Sequence, residues 1–263
     1  MRYVKLYFVC IKRSILSRLE YKKDAIISIL SFLISNACSL CSIYFILQAI
    51  PSLKGYSIAE VGFFYGFSML PIAIDHLFSD EFWLVAYRRV QLGDMDRHFI
   101  KPVPVIFQMF AETFQPDGFG EIIVGVTMII ICGVNLNITV SFGGIFVLVI
   151  AVIFGALIIT SFKIIFSSLA FIFKKSGPLL QVIYNFTNYA KYPISIYPKV
   201  IRIILVFVFP FGLIVSLPIN TLLYGTYNPY LLSLWIIGVA IGLFLVALFV
   251  WSKCAKHYES TGS

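Results

Sequence analysis

The sequence feature that most constrains the fold is a set of three long stretches without a charged side chain. Residues 25–50, 122–162 and 203–252 contain no Asp, Glu, Lys or Arg over 26, 41 and 50 positions. At 1.5 Å per residue, about 20 apolar residues in a helix cross a ~30 Å hydrocarbon core. Only 12% of the 263 residues are charged, against roughly 25% in soluble domains. The sequence therefore predicts an all-α integral membrane protein.

The predicted spans number six. The first covers 25–50, the second runs from about Ile58 to Ser79, and the last covers Leu231 to Trp251. The 41-residue run is two bilayers long, so it must fold back, and the Gly and Asn residues at 133–144 predict the turn between spans three and four. Either 177–193 or 203–217 could form the fifth span. If 177–193 is the fifth span, then 203–217, which is short and Pro-punctuated, is predicted to form a re-entrant helical hairpin before the last span.

The basic residues predict the topology. The cytoplasmic pieces would be 1–24, 80–104, 174–176 and 252–263, which hold seven, four, two and two Lys or Arg residues. The net charge of +8 thus follows membrane orientation and does not indicate a nucleic-acid partner. The predicted organisation is a single transmembrane domain over 1–263, with these parts: an interfacial amphipathic helix at 1–24, spans 1–2 at 25–80, a cytoplasmic loop at 81–104, spans 3–4 at 105–173, span 5, the re-entrant segment and span 6 at 174–252, and a cytoplasmic tail at 253–263.

Few side chains in the spans suggest chemistry. Lys163 interrupts the fourth span, and an intramembrane cation is a candidate functional group unless it snorkels or pairs with a carboxylate on a neighbouring helix. Asp75, His76, Asp80 and Glu81 have metal-ligating chemistry, although polar residues capping a helix end explain them more simply. The sequence contains no Walker A, G-x-S-x-G or H-E-x-x-H pattern, so we expect no enzymatic activity and no cofactor on this chain.

Three segments resemble the permeases of the ABC-2 transporter family. The first is LGDMDRHFIKPVPVIFQ at 92–108, with a Gly, an Asp three residues later, and a basic-Pro pair. The second is the Pro-punctuated segment Tyr192–Pro218, and the third is the tail HYESTGS at 257–263. With six spans and a length near 260, the resemblance covers essentially the whole chain.

The resemblance implies an exporter permease in a bacterial plasma membrane with both termini cytoplasmic. Its implied partners are two separate ABC ATPase subunits, which bind ATP and Mg²⁺, a second permease subunit (identical or related), and membrane lipids. The loop after the second span would form a coupling helix that docks on the ATPase; its matching residues here are Arg88, Arg89, Gly93, Asp94, Asp96, Arg97, Lys101 and Pro102. The re-entrant segment at the external mouth would include Tyr197, Pro198, Pro210 and Pro218.

Two other functional classes remain open at this point. An ion-coupled secondary transporter would need carboxylates in mid-span, whereas the carboxylates here lie at span ends. A membrane scaffold or immunity protein would bind a partner without transport, and stimulated ATPase activity in a co-purified complex would distinguish it from a permease.

Overall fold

The structure is a computed structural model that describes residues 2–20, 54–112, 114–116, 118–138 and 141–260, with nine further positions between 26 and 45 (26, 27, 30, 31, 34, 35, 38, 41 and 45). The predicted first span, 25–50, lies largely outside the described residues. Across the described ranges the chain is helical and contains no β-strand. This agrees with the predicted all-α class.

Thirteen α-helices and five π-helical or 3₁₀ turns follow one another along the described chain. The α-helices are α1 (Arg2–Glu20), α2 (Ile58–Ser79), α3 (Glu81–Leu84), α4 (Asp96–Phe99), α5 (Val105–Glu112), α6 (Gly118–Asn135), α7 (Phe142–Ser168), α8 (Ala170–Phe173), α9 (Gly177–Asn185), α10 (Lys199–Ile203), α11 (Phe211–Ile214), α12 (Ser216–Tyr224) and α13 (Pro229–Cys254). The π-helical turns are Val85–Arg89 and Ile204–Val208, and the 3₁₀ turns are Phe186–Lys191, Ile194–Ile196 and Ala255–His257.

Among the residues that the structure describes, four helices are long and apolar enough to cross a membrane: α2, α6, α7 with its extension α8, and α13. The second span has the predicted bounds, and the long uncharged run turns between α6 and α7, as its Gly and Asn content predicts. A further pair, Lys199–Val208 and Phe211–Tyr224, has the composition of a span but is bent by 78°.

Capping residues determine where three of these helices begin. Ser57 and Glu60 form a reciprocal capping box at α2. The Ser141 hydroxyl accepts from the Gly144 N–H at 3.0 Å at α7, and the Asn228 side chain accepts from two backbone N–H groups at α13. Each cap satisfies donors that the first helical turn leaves unpaired.

Glycines allow α2 and α6 to approach closely. A Cβ on Gly66 would lie 2.7 Å from the Met128 Cβ, and one on Gly125 would lie 2.8 Å from the Gly66 carbonyl oxygen. Small residues at such crossings permit the close van der Waals packing that holds membrane helices together. The other extensive pairing is α7 against α13.

The contacts define two ends of the molecule. At the loop end, the Ser176 N–H donates to the Ala86 carbonyl at 3.0 Å, and the Tyr258 hydroxyl donates to Asp96. At the opposite end, Tyr224 donates to Glu60. Loop 81–104, the turn after α8 and the tail therefore share one end, and the turns before α2, α7 and α13 share the other.

The irregular segment 177–196 runs along α2 from the loop end to the opposite end. It begins where Gly177 lies against the Tyr87 ring. Further along, Tyr184 stacks on His76 and the Lys191 ammonium lies 5.5 Å from the centroid of the Tyr65 ring. It reaches the opposite end where the Ser195 hydroxyl donates to the Tyr56 hydroxyl at 3.0 Å.

The bent pair that follows dips into the molecule and returns. Arg202 donates to the Ser195 carbonyl near the opposite end. The bend at Phe209 packs against Phe162, with ring centroids 5.4 Å apart. Helix α12 then leads back to Tyr224, beside Glu60.

Candidate functional site: the charged loop and its supports

The loop between α2 and α5 is built of short helical elements. Helix α3 continues into the π-helical turn Val85–Arg89, and Gly93 connects this turn to α4. The φ of Gly93 is +75°, a left-handed conformation that favours glycine. Val90 and Met95 are fully buried. They belong to a core cluster with residues from α7, α8 and α13, including Ile164, Phe171 and Trp251, so the loop is packed onto the ends of the spans.

Arg89 is the centre of an ion-pair network inside the loop. Its guanidinium contacts the Glu81 carboxylate and lies 3.0 Å from Glu112 Oε2 on α5. It also donates to His98 Nε2 at 2.7 Å. The Arg89 and Glu81 side chains are 11% and 1% exposed, so this cation holds three segments together from behind the surface.

The hydrogen bonds of His98 assign its tautomer. Because the guanidinium can only donate, Nε2 accepts from Arg89 and Nδ1 carries the proton. Nδ1 faces the Gln108 Oε1 at 3.1 Å. The Gln108 amide in turn donates to the carbonyls of His98 and Val103 at 2.9 and 2.8 Å. A fully buried imidazole and an amide thereby fix the polypeptide between α4 and α5.

Burial and neighbouring charges shift the pKa values of this network in different directions. Burial raises the pKa of Glu81 to about 7, and the charge of Arg89 offsets only part of that effect. Burial also opposes ionisation of Glu112, but the hydrogen bond from Arg89 and the nearby His98 and Lys101 outweigh it and lower the pKa. Burial lowers the pKa of His98, so its imidazole is neutral at pH 7.

The outer face of the loop combines positive charge with apolar side chains. Arg88, Arg97 and Lys101 are exposed, and Leu92 and Ile100 are 48% and 83% exposed. We call these five residues the loop face. Asp94 and Gly93 are half-buried and Pro102 is exposed. Arg89, which the resemblance also assigned to docking, is buried, so its side chain is not part of this face.

Asp96 contacts the C-terminal tail. Its carboxylate accepts from the Tyr258 hydroxyl at 2.8 Å and from the Ser260 hydroxyl at 2.6 Å. These two hydrogen bonds lower the pKa of Asp96. The Tyr258 ring also stacks on Phe99 with centroids 5.1 Å apart. The tail is thus attached to α4, and the Asp96 side chain already has partners within the chain.

Lys163 forms a buried ion pair with two carboxylates at the end of α2. Its ammonium lies 2.6 Å from Asp75 Oδ2 and 2.9 Å from Asp80 Oδ1, and the Lys163 and Asp75 side chains are fully buried. Asp75 also accepts from the hydroxyls of Thr160 and Ser79. Asp80 and Glu81 are adjacent in the chain. Asp80 links the end of α2 to Lys163 of α7, and Glu81 links it to Arg89 in the loop network.

Asp75, His76 and Asp80 come close enough together to be considered as a metal site. The Lys163 ammonium, however, lies against both aspartates, and the His76 ring instead contacts Glu121 at 2.9 Å and the Tyr184 hydroxyl. A metal ion would have to displace a paired ammonium, so these residues do not fit a metal centre.

The four residues of the predicted re-entrant segment lie at its structural breaks. Tyr197 ends the second 3₁₀ turn and its hydroxyl donates to the Tyr189 carbonyl at 3.1 Å. Pro198 precedes α10, Pro210 lies at the bend, and Pro218 lies in the first turn of α12. None of the four contacts the loop network in the described structure.

Sequence reasoning missed the inner half of the site. The sequence suggested only a metal ligand or a helix cap for Glu81 and no shared role for His98, Gln108 and Glu112. Their convergence depends on the tertiary packing of α5 under the loop. The available signal was charge balance. Glu81, Glu112 and Arg89 flank a chain reversal in an otherwise charge-poor sequence, where buried charges must pair.

Comparison with known proteins agrees with the resemblance seen in the motifs. The family model described as ABC-2 family transporter protein matches residues 33–262, which include the loop, every described span and the tail. Comparisons with curated proteins and with solved structures give no significant match. The chain therefore belongs to the ABC-2 transporter family, as a multi-pass membrane protein with the role of a transport permease.

Proposed function

We propose that the chain is the permease subunit of an ATP-driven exporter in which separate ABC ATPase subunits dock on the loop face. The observation that carries the proposal is the division of the loop charges. One set, centred on Arg89, is buried and fixes the loop to the spans, while Arg88, Arg97 and Lys101 are exposed beside Leu92 and Ile100. An exposed surface on a rigid support can transmit motion of a bound motor to the spans.

The supports connect the loop face to the helices that would move. Glu81 forms an ion pair with Arg89 of the loop, and the adjacent Asp80 forms an ion pair with Lys163 of α7. A displacement of the loop therefore acts on the α2–α7 pair through ion pairs as well as through packing. ATP and Mg²⁺ would bind to the partner ATPases, and a second permease subunit would complete the transport path.

The topology that accompanies this proposal places the loop end in the cytoplasm. Basic residues of the loop, the turn after α8 and the tail concentrate there, as cytoplasmic segments do. In this arrangement 177–196 is the fifth crossing, because it follows α2 from end to end. Its mixed α and 3₁₀ backbone spans about 30 Å. The bent pair 199–224 is then the re-entrant hairpin, with Phe209 at its deepest point.

The proposal is tested by ATPase activity in the complex purified in mild detergent. Arg88→Glu and Ile100→Asp each change an exposed side chain of the loop face. We expect both to reduce co-purified, permease-stimulated ATP hydrolysis at least tenfold. Tyr227→Asp, at an exposed position on the opposite end, is the matched control and should behave as wild type. Unchanged hydrolysis in both loop-face variants would refute docking at this surface.

The same measurement separates the alternative classes. An ion-coupled transporter or a non-transporting scaffold would yield a purified protein without a stoichiometric ATPase. A permease yields ATP hydrolysis that depends on the loop face.

A further inference from the structure

The irregular segment 177–196 carries a polar face that the docking function does not use. Gln181, Asn185 and Asn188 are exposed and follow one another at intervals of four and three residues, which places them on one side of a helix. Leu180, Thr187 and Ala190 are buried on the other side. We call Gln181, Asn185 and Asn188 the amide stripe.

The amide stripe lies at membrane depth if the segment crosses the bilayer. The residues around it contact α2 between His76 and Tyr65, which are 11 positions apart. At 1.5 Å per residue this corresponds to about 16 Å of the span. The stripe therefore lies beside the middle of α2 and not at one end of that helix.

Three carboxamides at this depth are incompatible with a lipid-facing surface. Each offers two donors and two acceptor lone pairs, and the described contact among them is Gln181 Nε2 to Asn185 Oδ1 at 3.0 Å. Transfer of an unpaired polar group from water to an apolar medium is strongly unfavourable. The 3₁₀ backbone from Phe186 to Lys191 gives the same indication, because irregular backbone at membrane depth occurs where protein or water covers it.

We propose that the amide stripe lines a water-filled transport path and binds uncharged hydrogen-bonding groups of an amphipathic cargo. This inference rests on the proposed function for the assignment of 177–196 as a crossing.

The residues of the segment determine the class of cargo. Carboxamides both donate and accept, as hydroxyl and amide groups of a ligand require. The one charged side chain of the segment 177–196 is Lys191, whose ammonium lies over the Tyr65 ring at 5.5 Å from its centroid. Leu179, Val182 and Tyr189 are exposed beside the stripe and would contact apolar parts of the cargo. The nearby Lys163 ammonium is fully buried against Asp75 and Asp80, so it is not offered to a ligand.

Thiol accessibility tests the path. Asn185→Cys and Asn188→Cys are made in a variant without the five native cysteines that elutes as wild type, and reacted in proteoliposomes with a membrane-impermeant methanethiosulfonate. Leu234→Cys and Leu245→Cys on α13, 65% and 60% exposed in the wild-type protein, are the lipid-facing controls. We expect the stripe positions to react at least tenfold faster than the controls.

Two outcomes would overturn the proposal. Reaction at the control rate would mean that the stripe is not reached by water. Slow reaction together with oxidative cross-linking of two copies through position 185 or 188 would mean a dry interface between subunits. Neither measurement involves an ATPase, so a failure of the docking proposal would leave the labelling result unchanged, and a failure of the path would leave ATPase co-purification unchanged.

The class of cargo is tested by protection of the Asn188→Cys thiol. Decyl glucoside, decyl sulfate and decyltrimethylammonium are compared at equal concentrations below those at which they form micelles. We expect the uncharged glucoside to slow labelling at least threefold more than either charged amphiphile. Equal protection by all three, or stronger protection by a charged one, would contradict the assignment.

Discussion

Replacing Arg89 with methionine should destabilise the protein strongly, because the structure makes this cation the partner of a carboxylate that water hardly reaches. The Glu81 side chain is 1% exposed, whereas the second partner, Glu112, is 26% exposed and keeps Lys101 at 3.2 Å. The cost therefore falls mainly on Glu81. Removing one member of a buried pair costs about 3–5 kcal/mol.

The pKa of Glu81 predicts how this cost changes with pH. Burial already raises that pKa to about 7 with Arg89 present, and loss of the cation raises it further. When the pKa of a carboxyl group is higher in the folded than in the unfolded state, the protein loses stability as the pH rises from the unfolded-state pKa to the folded-state pKa. The penalty of Arg89→Met should thus stay constant below about pH 7, where Glu81 is protonated in both folded proteins, and should grow above pH 7 by up to about 1.4 kcal/mol per pH unit.

The assay is reversible unfolding by SDS in mixed micelles, followed by tryptophan fluorescence. Arg88→Met removes an exposed charge at the neighbouring position and should change the free energy of unfolding by less than about 0.5 kcal/mol. Adding Glu81→Gln to Arg89→Met should recover at least half of the loss, since no buried charge then lacks its partner. Equal effects of Arg88→Met and Arg89→Met, or no rescue, would refute the assignment of Arg89 to the loop support.

Three further predictions concern other contacts. Gly66→Ala should weaken the α2–α6 crossing by about 1–3 kcal/mol through overpacking against the Gly125 carbonyl, measured by the same SDS titration; Gly238→Ala, where a Cβ would meet nothing within 4 Å, is the control. Gly93→Ala should cost about 1–2 kcal/mol from the positive φ and should reduce ATPase co-purification; an unaffected variant would show that the loop adopts another conformation. Asp96→Asn should release the tail, seen as faster carboxypeptidase digestion; in the wild type this release should occur only as pH falls through the lowered pKa of Asp96, and release on raising the pH would contradict the contact.

Most of the fold could be predicted from hydrophobic run lengths. The bounds of α2 follow from an apolar run of span length, and the reversal between α6 and α7 follows from a charge-free run with Gly-Asn turn chemistry; both signals act locally. The route of 177–196 could not be predicted, because its helices are too short to carry a periodic signal. Only its sequential contacts with Tyr87, His76, Tyr65 and Tyr56 on or near α2 show that it runs from one end to the other.

The position of the candidate site in the chain was predictable from the sequence, but which of its residues are exposed and which are buried was not. The density of charge at 88–103 identifies the loop. The sequence does not reveal that Arg88 is exposed while Arg89 is buried, because that depends on Glu112, which approaches from 23 positions away. Likewise, the pairing of Lys163 with Asp75 and Asp80 depends on the packing of α2 against α7.

The most direct test of ATPase docking is photo-cross-linking from the loop face in the native membrane. A photoreactive residue replacing Ile100, which is 83% exposed, should cross-link to a cytosolic protein that contains a Walker A motif, in a yield near one per permease. The same residue replacing Tyr227 at the opposite end should give no such product. Absence of an ATPase adduct from position 100, or an equal adduct from position 227, would contradict the proposal that this permease is driven through its loop.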